Sequence, residues 1–248
     1  MCYRTSNVAA LNTLKERYRA TFSDPGSYKP YFHLAAFSHP YLNILTAESP
    51  GEFRPYTWGL IPPWEKSMDT ATKRMLNCAN ARGEEIAEKP SYRDAWRKSQ
   101  RCIIPVTGIF ESHTLEKPVG KAESIPYFIK LKSEPIFSLG GLYNDWIDRS
   151  TGEIHRTFTI LTVEANTLMK RIHNTKGRMP LILLQQNEST WLNKDNDLQY
   201  INGMISPFDT NEMTAFPVSK DVHNPRLDAN TENSIAQVVY QGLEGIIP

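Results

Sequence analysis

The chain has 248 residues, 40% hydrophobic and 22% charged, and its 28 Lys and Arg against 27 Asp and Glu give a net charge of +1. This is ordinary globular composition, and it excludes a polycation that coats nucleic acid non-specifically; any basic surface has to be gathered locally. Three cysteines, Cys2, Cys78 and Cys102, give neither a disulfide framework nor a C-x-x-C metal site. No apolar run approaches the roughly 18 residues of a membrane span, and the opening residues are too polar for a secretory signal. A soluble, cytoplasmic protein is expected, with no membrane partner, no metal and no cofactor.

Residues 9–20, AALNTLKERYRA, read as a helix with Leu11, Leu14 and Tyr18 at helical spacing. Residues 31–46 and 53–60 hold short β-prone runs broken by Pro40 and Pro50. In the charged mixture from Lys66 to Arg101, the residues after Glu84 read as a solvated helix face, and SYRDAWRKS (91–99) as a helix capped by Ser91. Strands follow at 101–111, 126–131, 136–143 and 156–164, then helices near 165–172 and 188–193, and a last strand at 214–219. Strands predominate, at intervals too irregular for a βαβ series. The expected fold is α+β, a single domain over residues 2–240 with a curved, mostly antiparallel, barrel-like β-sheet flanked by short helices.

Cys2 directly follows the initiator methionine. Its small side chain permits removal of Met1, and the mature chain would then begin with a 1,2-aminothiol. The α-amine has a pKa of roughly 7.7–8 and is partly neutral in the cell; cationic neighbours would lower the thiol's. Such a terminus condenses with an aldehyde: the amine forms an imine and the sulfur closes on it to give a thiazolidine.

Four further segments carry candidate chemistry. WGLIPPW sets Trp58 and Trp64 on either side of a proline turn, as stacking surface for bases or as core residues. NCANARGE offers Asn80 and Arg82 at strand spacing, an amide and a phosphate ligand. RCIIPVTGIFESH is an apolar strand ending in Glu111. A carboxylate there is either ion-paired or partly buried, with its pKa raised for proton transfer. His173, between a short helix and a glycine-containing loop before Arg178, is either a packing residue or a proton-transfer group.

Together, Cys2 with Arg4, WGLIPPW, NARGE, the R-C-x-I-P…G-x-F-E strand, IHN…RMP-x-IL and FPVS…NPR occur in an order that resembles the SOS response-associated peptidase family, also called abasic-site processing proteins. The resemblance implies that Cys2 is the nucleophile that crosslinks to an abasic sugar in single-stranded DNA. Asn80 and Arg82 would hold the sugar and its phosphate, Glu111 and His173 would manage protons, and Arg4, Trp58, Trp64 and Arg178 would line the DNA path, with Pro40 standing for the family's N-x-A-P-T segment. It also implies self-removal of Met1 and an abasic-site lyase side activity. The expected partner is single-stranded DNA carrying abasic sites, bound by a monomer.

The chain departs from the family pattern in three places. Ser112-His113 follows Glu111 where tryptophan is common, HNTKGRMP lengthens the His–Arg spacing, and HLAAFSHP replaces N-x-A-P-T. Two other functions use the same residues: a cysteine peptidase with Cys2, His173 and Glu111 as nucleophile, base and orienter, and a non-covalent single-strand binder built on Trp58, Trp64 and the arginines.

Overall fold

A computed structural model describes residues 2–116 and 120–243. In chain order the strands are β1 Arg4–Asn7, β2 Thr21–Phe22, β3 Tyr31–Ala35, β4 Tyr41–Thr46, β5 Ser49–Trp58, β6 Asn80–Arg82, β7 Arg101–Val106, β8 Gly108–Leu115, β9 Glu123–Leu131, β10 Phe137–Ile147, β11 Ile154–Glu164, β12 Arg178–Pro180, β13 Ile182–Leu183 and β14 Met213–Pro217. The α-helices are short: α1 Leu11–Tyr18, α2 Met68–Met75, α3 Arg93–Arg97, α4 Thr167–Ile172, α5 Glu188–Leu192 and α6 Leu198–Asn202.

Strands β5, β4, β7, β10 and β11 pair antiparallel in that order. A parallel pairing of β11 with β5, Thr157 opposite Thr57 and Phe158 opposite Trp58, closes them into a five-stranded barrel. Closure leaves no open edge among these strands. Phe53, Trp58, Ile103, Phe137, Leu139, Phe158 and Ile160 are buried in its core. The expected α+β architecture with a curved, mostly antiparallel sheet is what the chain forms.

A second, antiparallel sheet has the order β14-β9-β8-β1-β3. The stretch 101–111, expected as one strand, divides between the two sheets: β7 belongs to the barrel and β8 to the second sheet. Gly108 opens β8 because the ring of Phe128 occupies the space a Cβ would need. The split carries Glu111 out of the barrel and alongside the chain's N-terminus, since β1 lies between β3 and β8 with Thr5 opposite Ile109 and Ser6 opposite Gly108. Carried toward the N-terminus, this antiparallel register sets Tyr3 opposite Glu111.

Other expectations shift locally. The first helix spans Leu11–Tyr18 and stops where Arg19 turns left-handed at φ 50°. The helix expected at 91–99 runs Arg93–Arg97 and is preceded by Tyr92, so Ser91 is not its cap. Pro50 lies within β5 and does not break it. Helix α2 is an element the charged composition of its segment concealed; Ser67 caps it by accepting from the Thr70 amide at 3.4 Å.

Candidate active site

Cys2 is fully buried, and its Sγ lies 3.7 Å from the Arg4 carbonyl oxygen. Burial pushes the thiol pKa well above its ordinary value, and the negative charge of Glu111 adds to the effect. The sulfur is therefore held as a protonated thiol, the reverse of the lowering that cationic neighbours would give. Cys78 and Cys102 are buried free thiols as well.

Glu111 and His173 are both buried, with Oε2 of the first 3.7 Å from Nδ1 of the second. His173 is the C-cap of α4, and its Nδ1–H donates to the Arg178 carbonyl at 2.9 Å. This bond fixes the ring's orientation and its tautomer. The long HNTKGRMP segment makes it possible. Gly177, at φ 57°, folds the loop back so that its amide donates to the His173 carbonyl at 3.0 Å. Asn174 then ties the loop to β8 by exchanging bonds with the Thr114 main chain, each 2.9 Å.

Asn80 is buried on β6, which pairs parallel with β11, Asn80 opposite Ile160. Its carbonyl accepts from the Tyr92 hydroxyl at 3.1 Å, yet neither atom of its side-chain amide has a hydrogen-bond partner among the described residues. Buried amides are rarely left in this state. An amide so placed suits a polar ligand.

The expected DNA-contact residues divide. Arg4 is half-buried, with no acceptor for its Nε among the described residues and its guanidinium 5.2 Å from the Phe37 ring centre. Arg82 is exposed and 3.2 Å from Glu85. Arg178 grips Glu84 with two 2.8 Å bonds and also donates to the Thr162 carbonyl at 2.6 Å. Trp64 is 43% exposed, with the Arg74 guanidinium 4.5 Å from its ring centre. Pro40 is half-buried, and its carbonyl accepts from the Trp58 amide at 2.9 Å.

Trp58 has no exposed surface: its indole N–H donates to the Ala79 carbonyl at 2.9 Å and its ring stacks on Phe158. It offers no face to a base, and of the two readings of WGLIPPW this tryptophan takes the core one. Gly59 makes the turn after it at φ 123°, where an added Cβ would stand 2.8 Å from the Met75 carbonyl.

Sequence reasoning missed several neighbours. Glu84, inside the NARGE segment, is the carboxylate that holds Arg178. Ser112, in place of the usual tryptophan, bonds His223 Nε2 at 2.9 Å. His33 and Phe37, inside HLAAFSHP, stand near Arg4. A departure from a motif was the available signal for both of these last contacts, and it does not say what fills the gap.

The fold and the clustered residues define a barrel protein whose Cys2 lies near a buried carboxylate, Glu111, which is itself 3.7 Å from a buried imidazole. The family model of the SOS response associated peptidase (SRAP) matches residues 1–225, and the chain belongs to that family. It is 36% identical over 228 residues to the abasic site processing protein YoqW of Bacillus subtilis (strain 168), a match covering 91% of this chain and 96% of that one. It is 28% identical over 198 residues to the abasic site processing protein HMCES of Mus musculus, covering 69% and 53% respectively. Among solved structures, a protein from Bacteroides thetaiotaomicron superposes with a TM-score of 0.87 at 36% identity, over 96% of this chain and all of the other. One from Bordetella bronchiseptica, at 22% identity and a TM-score of 0.72 over 88% of this chain and all of the other, shares the fold.

Among the described residues, no helix is long and apolar enough to cross a membrane. Met1, whose removal the resemblance implies, lies outside the described residues.

Proposed function

We propose that this protein processes abasic sites in single-stranded DNA by forming a thiazolidine between Cys2 and the opened deoxyribose, as one domain over residues 2–240 acting as a monomer. The observation that carries the reading is that Glu111 lies near enough to Cys2 to act on its thiol and at the same time 3.7 Å from His173.

The chemistry uses each group. Hydrolysis of the Met1–Cys2 bond frees the α-amine. His173, as acid, protonates the ring oxygen of the closed sugar while the anomeric hydroxyl gives its proton to water, and the aldehyde is released. The amine adds to the carbonyl carbon, and Glu111 takes the amine proton and returns it to the departing hydroxyl, so that water leaves and an imine remains. Sulfur then bonds to the imine carbon while the S–H proton passes to nitrogen. No electrons are gained or lost overall. The proton that sulfur gives up is the one nitrogen takes, so the step needs no outside acid. Proximity favours it as well, since both nucleophiles belong to one residue. An imine that lingers promotes β-elimination, which is the source of a lyase side activity.

Asn80 supplies amide contacts to the sugar, and Arg82 and Arg178 pair with flanking phosphates. Because Cys2 is buried, the terminus has to open before a sugar reaches it.

The test is a denaturing gel of an abasic single-stranded oligonucleotide incubated with protein of verified intact mass lacking Met1. A heat-stable shifted band is expected, and none from Cys2→Ala. Equal crosslinking by the alanine variant would overturn the reading. Turnover of added peptides, measured by mass spectrometry, would favour a peptidase acting on other proteins.

A further inference from the structure

Trp58 offers no face to a base, but its buried indole is not idle. The indole N–H donates to the Ala79 carbonyl at 2.9 Å, and the same oxygen accepts the Ile160 amide at 3.1 Å. The next carbonyl along the chain, that of Asn80, accepts from the Tyr92 hydroxyl at 3.1 Å. Two consecutive carbonyls at the start of β6 are thus held by donors from three distant parts of the chain. Both aromatic side chains that supply them are buried.

Strand β6 needs such support. It has three residues, Asn80–Arg82, and among the described residues its one strand partner is β11. Ala79 and Ala81 turn their carbonyls toward β11, where the Ile160 amide and the Thr162 hydroxyl reach them. The Asn80 carbonyl lies between these two and points to the outer edge. A buried carbonyl left there without a donor would be costly. The Tyr92 phenol takes the place of the N–H that a neighbouring strand would have supplied.

The consequence falls on the Asn80 side chain. Its amide makes no hydrogen bond among the described residues, so nothing at its tip fixes its direction. The direction is inherited from the main chain at 79–80. A group that has to meet a substrate works only when its supporting shell holds it to within about 0.5 Å. Tyr92 is a firm anchor for this purpose. Its amide donates to the Lys89 carbonyl and its own carbonyl accepts the Trp96 amide, both at 2.9 Å. Burial raises the phenol's pKa, which keeps it a donor. The Cys78 thiol is within hydrogen-bonding reach of the same hydroxyl.

We propose that Tyr92, together with Trp58 on the preceding carbonyl, is a positioning residue for the reaction: its hydroxyl fixes the main chain at Asn80 and so aims the amide that meets the opened sugar. The inference rests on the abasic-site reading, in which Asn80 contacts that sugar. It gives the first tryptophan of WGLIPPW a role that requires no exposed surface.

Tyr92→Phe removes one oxygen and keeps the ring. In single-turnover gels with a saturating abasic strand, this variant is expected to crosslink about fivefold more slowly, the usual effect of losing one hydrogen bond. Fluorescence anisotropy with a strand whose lesion is a tetrahydrofuran, which has no carbonyl, should show little change in affinity. In an Asn80→Leu background the same substitution should leave the crosslinking rate where Asn80→Leu put it, because no amide remains to be aimed. An unchanged rate in the single variant, or an equal fold-loss in both backgrounds, would overturn the inference; the second result is what a purely structural tyrosine acting through Cys78 would give. A further readout needs no DNA. The side-chain amide resonances of Asn80, assigned by their absence from Asn80→Leu, are expected to shift or broaden in Tyr92→Phe, and resonances identical to those of the wild type would also overturn it. Failure of the wild type to crosslink at all would instead defeat the abasic-site reading, and the resonances would still decide whether Tyr92 sets the Asn80 amide.

Discussion

Glu111 and His173 meet with Oε2 3.7 Å from Nδ1, although one lies on β8 and the other caps the end of α4. The Arg178 carbonyl, not the carboxylate, accepts the Nδ1 hydrogen. In the proposed reaction it is therefore Nε2 that exchanges a proton with the sugar, because Nδ1 is engaged with the Arg178 carbonyl.

His173→Ala is expected to slow crosslinking by roughly 10²–10⁴, the usual contribution of a positioned acid or base. Binding to a tetrahydrofuran strand should change far less. Single-turnover gel kinetics beside anisotropy check this; equal losses in both would reduce His173 to a DNA contact.

The unpartnered amide of Asn80 makes the residue a drain on stability, by about 1–3 kcal/mol for a buried polar group left unsatisfied. Replacement by Leu, of similar bulk, is expected to leave the melting temperature unchanged or raised, and to reduce crosslinking at least tenfold. A large fall in melting temperature would mean that the amide supports the fold.

Glu84 holds Arg178 through two 2.8 Å bonds, and the pairing keeps the Glu84 pKa below its ordinary value. Glu84→Gln removes the competing charge. We expect tighter binding to single-stranded DNA at low salt, with the slope of log K against log salt steeper by about 0.7, one more phosphate contact. Anisotropy titrations across a range of salt concentrations measure it. An unchanged slope would mean that Arg178 does not reach the strand.

His33 and His223 have folded pKa values of about 4, below the ordinary 6.5. Their surroundings explain the direction: both are partly buried and near Arg4, with Asp228 only partly offsetting this at His33. Between pH 6.5 and 4 the unfolded chain binds more protons than the folded one, so stability falls as pH drops through that window. Below about pH 4 these two groups contribute no further change. Urea midpoints of the wild type and of a His33→Asn, His223→Asn variant should converge as pH falls from 7 to 4; parallel curves would contradict the assignment.

Much of the local structure was legible in the chain. Strand-like stretches at 126–131, 136–143, 156–164 and 214–219 announced β9, β10, β11 and β14, and the helical spacing of Leu11, Leu14 and Tyr18 announced α1. Helix α2 was hidden because its few apolar residues, such as Ala71 and Met75, sit within a strongly charged segment. The division of 101–111 between two sheets was hidden because both halves are equally apolar, and no local pattern records which sheet a strand joins.

Residue types alone set the reactive inventory, above all a cysteine directly behind Met1, a carboxylate in an apolar run and a histidine before a glycine-containing loop, because residue type fixes what chemistry a side chain can perform. Only the tertiary structure decided which of these residues meet. Pairing of β1 with β8 and the Gly177 turn bring Glu111 and His173 to the N-terminus, while closure of the barrel seals Trp58 inside. Such juxtapositions depend on long-range strand register and on competition for buried volume, and neither is written in the neighbours of any one residue.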